Sequence, residues 1–144
     1  MKKAARFGLV ALSSALLVGF AATPSQALVV HTASCSATGS SGSLITTGWD
    51  YNDRSIPNLS LTLKDTLADG HHTQIRLVVQ YPDSVGYFPW HYDYDGAGTT
   101  LQFNSYVSSG GTITDAGVQV GTYEGSTQKS VCTKWVSGST QDPS

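Results

Sequence analysis

The chain has 144 residues, and the first 27 read as a removable export segment, which leaves about 117 residues, one domain's worth, for folding. All ten acidic residues but only five of the eight basic ones lie beyond that point, so the remainder carries a net charge of −5 with no basic run, and nucleic acid and anionic membrane surfaces are excluded as partners. Charged residues are 12 % of the chain against roughly 25 % in an average globular protein, while Ser and Thr fill 31 positions after residue 27, so the expected surface is hydroxyl-rich and not ionic.

Lys2, Lys3 and Arg6 precede an apolar run from Phe7 to Ala22, and Ser25 and Ala27 fit a small-x-small cleavage site. The run is shorter than the about 20 residues a bilayer span needs, and Pro24 follows it, so it reads as a secretory signal and not an anchor. Beyond the signal the chain keeps two cysteines, Cys35 and Cys132. An even count in an oxidising compartment reads as one disulfide. A lipoprotein cysteine at 35 would need an apolar residue three positions earlier, where Thr32 stands.

No stretch after residue 27 repeats apolar residues at helical spacing over three turns, whereas alternation of period 2 recurs. Leu28 to Ala37 is expected as a first strand, Thr38 to Ser43 as a turn, Leu44 to Tyr51 as a second strand, and Asn52 to Asn58 as a loop. Leu59, Leu61 and Leu63 then alternate with Ser60, Thr62 and Lys64, one face inward. Asp69-Gly70 is a turn pair. Ile75, Leu77 and Val79 repeat the pattern with Arg76 and Gln80 opposite, and Val78 on that second face predicts a central strand covered on both sides. Leu101 to Val107, Thr112 to Thr122 and Gln128 to Val136 complete the set, and 137–144 is expected to be a disordered polar tail. Seven or eight short strands over 28–136 predict an all-β domain, an antiparallel two-sheet β-sandwich, with a closed barrel as the alternative.

Asp65, Thr66, Ala68, Asp69, Gly70 and then Arg76 form a run of about a dozen positions that resembles a pattern in small uncharacterised secreted β-domain proteins of actinobacteria. The resemblance implies an extracellular β domain and brings no activity with it.

The segment from Tyr87 to Gly96 carries the most chemistry. If extended, it puts Phe88, Trp90, Tyr92 and Tyr94 on one face and His91, Asp93 and Asp95 on the other. An exposed aromatic face would stack sugar rings or apolar ligands, with Tyr87 and Phe88 at its rim; a buried one would simply be core. His91, Asp93 and Asp95 would form one side of a metal site, calcium being the cation their oxygens suit, yet the remaining ligands of a calcium loop are missing. Asp50, Asn52 and Asp53 make a second incomplete oxygen-rich turn.

His71 and His72 beside Asp69 invite a catalytic reading, but adjacent strand residues face opposite ways. No Gly-x-Ser-x-Gly elbow or His-Glu-x-x-His pair occurs, and Glu124 is the single glutamate, which leaves Asp93, Asp95 or Asp115 as its partner in any carboxylate pair. The expected protein is a monomeric, secreted, non-enzymatic domain without a cofactor that binds an extracellular glycan or protein through its aromatic surface. The alternatives are a secreted proteinase inhibitor and a small extracellular hydrolase.

Overall fold

The computed structural model describes residues 27–138. The expected export segment up to residue 26 and the expected polar tail from residue 139 lie outside the described residues. Nine strands are formed: β1 (Val30–Ala37), β2 (Ser40–Thr47), β3 (Ser55–Asp65), β4 (His72–Tyr81), β5 (Ser84–Tyr87), β6 (His91–Asp93), β7 (Thr100–Ser108), β8 (Asp115–Glu124) and β9 (Thr127–Trp135). They build two antiparallel sheets, β1-β2-β3-β7 and β5-β4-β8-β9, with β6 pairing with β4 beside β5. The sheets pack face to face, β1 and β2 over β8 and β9, and β3 over β4. This is the two-sheet sandwich that the alternation predicts. The count reaches nine because the segment after Pro82 supplies two short strands along one edge of β4.

The inward faces are the alternating apolar positions. Leu59, Leu61 and Leu63 of β3 join Ile75, Leu77 and Val79 of β4 and Val118 and Val120 of β8 in one buried cluster. Each such side chain stabilises the fold by roughly 1.5 to 3 kcal/mol relative to exposure. Strand β4 is central, as Val78 on its second face predicts: it pairs with β8 along one edge and with β5 and β6 along the other, and Val78 is fully buried.

Several boundaries differ from the sequence expectation: β3 begins at Ser55, inside the expected loop Asn52 to Asn58, β8 begins at Asp115 and not Thr112, and both ends of β2 shift. The turn after β1 is confined to Thr38 and Gly39, with Gly39 at φ +86°, and the remainder of the expected turn, Ser40 to Ser43, begins β2. Hydroxyl side chains at Ser41 and Ser43 face solvent beside Ser36 and Ser34, a strand pattern without an apolar signal. Trp49 to Tyr51, expected to end that strand, lie beyond Gly48 at φ +73°, and Trp49 turns into the core.

Cys35 of β1 and Cys132 of β9 are joined in a disulfide across the two sheets, with Cα atoms 6.1 Å apart. The cross-strand neighbour of Cys35 is Gly42, and that of Cys132 is Val120. A Cβ on Gly42 would stand 2.5 Å from Val120 Cγ2 and 2.7 Å from Ile75 Cδ1. The opposite sheet therefore fills the space that a side chain at 42 would need, and the sheets close together beside the bridge.

The crossovers between sheets are tied by acidic residues. The buried Asp65 Oδ1 accepts from Leu67 N at 3.1 Å, Asp69 Oδ1 accepts from His71 N at 3.0 Å, and Gly98 N donates to Asp65 O at 2.9 Å. Two of the acidic residues in the run from Asp65 to Arg76 thus shape the β3–β4 connection.

Replacing Cys35 and Cys132 together by Ser opens a loop of 97 residues and should lower the unfolding free energy in a urea titration by roughly 3 to 5 kcal/mol. Gly42→Ala, which overfills the same contact while keeping the bridge, should cost about 1 to 3 kcal/mol in that titration.

Candidate functional site

The outer face of the second sheet is assembled in rows. Tyr87, Val78, Gly117 and Trp135 lie side by side across β5, β4, β8 and β9; Arg76, Gln119 and Thr133 form the next row; Tyr92, Gln74, Gly121 and Val131 the one after, with β6 in place of β5; and His72 lies beside Tyr123. Large rings fold over the glycines. A Cβ at Gly117 would meet Trp135 at 3.0 Å, and one at Gly121 would meet the Tyr123 ring at 2.7 Å. These bare positions let the aromatic side chains lie flat against β8.

Alternation is reset between β5 and β6. Tyr87 and Tyr92 both stand on the outer face although they are five residues apart, because 88–90 leave the strand at Pro89. Phe88 N donates to Leu77 O at 3.1 Å, and its ring packs on the core between the sheets. There it lines an apolar cleft of about 190 Å³ with Leu59, Leu61, Leu77 and His91. The expectation that Phe88 shares a face with Trp90, Tyr92 and Tyr94 is therefore corrected. Tyr87, Trp90, Tyr92 and Tyr94 do share one.

The rings of Trp90, Tyr92 and Tyr94 form a continuous strip with those of His72 and Tyr123. Tyr94 and Tyr92 are near-parallel, 9° apart with centroids at 5.8 Å; His72 lies 4.9 Å from Tyr94 and 6.0 Å from Tyr123; Tyr123 lies 5.9 Å from Trp90. Tyr92 is 45 % and Tyr94 71 % exposed, and Trp90 is half-buried. Beside Trp90 the guanidinium of Arg76 lies 4.3 Å from the centroids of both the Tyr87 and the Trp90 ring. Its Nε donates to Gln119 Oε1 at 2.7 Å, and Gln119 Nε2 donates to Thr133 Oγ1 at 2.9 Å. Burial pulls the Arg76 guanidinium below its ordinary value and pushes the Tyr123 phenol up, the latter opposed by the nearby Arg76 charge.

The three expected metal ligands do not converge. The His91 ring stacks on Phe103 at 4.3 Å. Asp93 is buried, with Oδ1 accepting from Asp95 N at 2.8 Å and Oδ2 from the Thr99 hydroxyl, so it holds the β6–β7 crossover; Asp95 is exposed. Among the described residues no three His, Cys, Asp or Glu gather at metal-binding distance. Asp50, Asn52 and Asp53 form an ordinary turn in which Asp53 Oδ2 accepts from Asp50 N at 2.9 Å.

The histidine pair separates, His71 preceding β4 and His72 opening it. His72 joins the ring strip and accepts a hydrogen bond from Gln74 Nε2 at 2.8 Å. His71 Nδ1 lies 2.9 Å from Asp69 Oδ2, and its Nε2 lies 3.9 Å from Glu124, which also pairs with Lys129. Hydrogen bonds from His71 hold the Asp69 carboxyl below the usual range, and Lys129 does the same for Glu124. Arg76 and Tyr123 are the site residues that the sequence reading did not single out. The signal for Tyr123 was the period-2 spacing of Gly117, Gly121 and Tyr123 on one face.

Comparison with family models, with curated proteins and with solved structures finds no match to this chain.

Asp93→Ala leaves Asp95 N without its acceptor and the Thr99 hydroxyl with Gly96 O alone, and should lower stability by about 1 to 3 kcal/mol in urea. Adding millimolar calcium should leave the unfolding curves of both proteins unchanged; a rise in the wild-type midpoint would show that these oxygens take a cation after all.

Proposed function

We propose that this chain is a secreted binding domain whose ligand, an extracellular glycan, stacks on the ring strip of the second sheet. Trp90, Tyr92 and Tyr94 carry the contact, and Tyr87 forms the rim. The observation that supports this most directly is the exposure of the near-parallel Tyr92 and Tyr94 rings beside His72 and the half-buried Trp90. A row of large rings left in water is costly unless a ligand covers it. Flat amphipathic rings with few torsions lose little entropy when they do so.

Tyr92, His72 and Tyr123 of the strip stand on strands, and Trp90 and Tyr94 flank β6 directly. Tyr92 is fixed by the pairing of β6 with β4, and Trp90 by the Arg76 and Tyr123 side chains beneath it. Such support preserves the arrangement before the ligand arrives, which limits the ordering cost of binding. Phe88 has no part in this surface.

A double replacement, Tyr92→Ala with Tyr94→Ala, tests the reading most cleanly because both rings stand outside the core. Binding to soluble and insoluble glycans, followed by tryptophan fluorescence and pull-down, should weaken by about 10-fold or more while unfolding changes by less than about 1 kcal/mol. Unchanged binding in the double variant, or no glycan bound by the wild type, overturns it. Export of the chain should yield a mature N terminus at Leu28 by intact-mass measurement; a retained segment before Leu28 overturns the cleavage site.

A further inference from the structure

We infer that the ligand of this strip carries carboxylates, and that Arg76 reads them: the domain selects an acidic, uronate-bearing glycan over a neutral one. The inference rests on the binding reading above and names its ligand class. It starts from how the chain spends its few cations. Lys129 pairs with Glu124 and Lys134 Nζ donates to Gly138 O, both on the periphery. Arg76 is placed in the middle of a sheet face, half-buried.

A charge taken that far from water ordinarily has a counter-ion. Among the described residues no carboxylate pairs with Arg76. Two aromatic faces at 4.3 Å take its place, which favours a cation electrostatically but accepts none of its N–H bonds. Among the described residues only Nε has an acceptor, Gln119 Oε1, and Gln119 is itself held by Thr133. The four Nη hydrogens have no acceptor among the described residues. A planar fork that is oriented at one edge, sandwiched by rings and open at the other is suited to a bidentate carboxylate.

Glycan and carboxylate fit together here because the same Trp90 ring belongs to the strip and to the guanidinium cradle. A sugar stacked on the strip brings its substituents to the cradle. The net charge of −5 beyond residue 27 opposes indiscriminate binding of polyanions, so selectivity has to come from one oriented contact.

The test uses the full exported chain with two polymers that share a backbone, polygalacturonate and its methyl ester, in which the carboxylate is masked. Wild type should bind polygalacturonate at least about 10-fold more tightly than the ester, and Arg76→Gln, which also loosens the support under Trp90, should bring the two within about 2-fold, the acid losing the larger share of its affinity. Arg76→Lys, which keeps the charge and loses the fork, should restore only part of the preference. The wild-type comparison of the two polymers stands even if the variants do not fold, which their melting curves report. Equal binding of both polymers overturns the carboxylate inference and leaves the strip intact as a neutral-glycan site. A preference that persists in folded Arg76→Gln overturns the role of Arg76. Arg76-dependent binding of polyglutamate with neither polymer bound overturns the glycan and makes the partner an acidic peptide. Binding of none of these probes also overturns the inference, and the Tyr92 and Tyr94 double variant on neutral glycans then decides the strip reading separately.

Discussion

Strand β4 is hydrogen-bonded along both edges and packed on both faces, and the rest of the molecule is arranged around that constraint. Its inward residues Ile75, Leu77 and Val79 form the floor of the core. Its outward residues Gln74 and Val78 are buried as well, which an antiparallel strand facing water on one side would not require. Something has to cover them. Rings from β5, β6, β8, β9 and the β5–β6 connection do so, and the glycines at 117 and 121 admit those rings. The aromatic strip is thus built as a cover for β4 before it is a surface for anything else.

The two outer faces show how differently one alternation rule can be used. On the first sheet, the solvent-facing positions hold Ser34, Ser36, Ser41, Ser43, Thr62 and Gln102, which accounts for much of the hydroxyl content. Val30 and Ile45 are the exposed apolar exceptions there, and the hydroxyl and amide side chains around them need no cover, because they can hydrogen-bond to water or to one another. On the second sheet the corresponding positions hold Arg76, Trp90, Tyr92 and Tyr123, whose polar tips reach water while their rings lie on the sheet. The asymmetry makes the second face the more informative one about partners.

Most of the fold was legible because burial and the period of 2 coincide in Leu59 to Leu63 and in Ile75 to Val79. The central position of β4 was legible from Val78 alone. Ser40 to Ser43 were not, since a strand whose inward residues are Ser40 and Gly42 carries no apolar signal. The orientation of Phe88 was lost to the same kind of gap: one residue more or less at Pro89 changes which side every later ring takes. Asp93 and Asp95 look like cation ligands in one dimension, yet Asp93 is consumed by the backbone of its own crossover. The Arg76 cradle depends on the register of three separate pairings and leaves no local trace.

Arg76 also shows why stability alone does not explain the site. If covering Val78 and Gly117 were the whole requirement, an apolar side chain at 76 would pack between Tyr87 and Trp90 with no desolvation cost. The chain instead puts its best fork donor there, fixes one edge of it through Gln119 and Thr133, and keeps the domain otherwise acidic. A guanidinium half-removed from water gains more from a carboxylate than one in bulk solvent, because the local dielectric is lower and part of the desolvation has already occurred. The burial that costs stability in the free domain would therefore strengthen the proposed contact, in which the ligand brings a carboxylate to a guanidinium that no carboxylate among the described residues pairs.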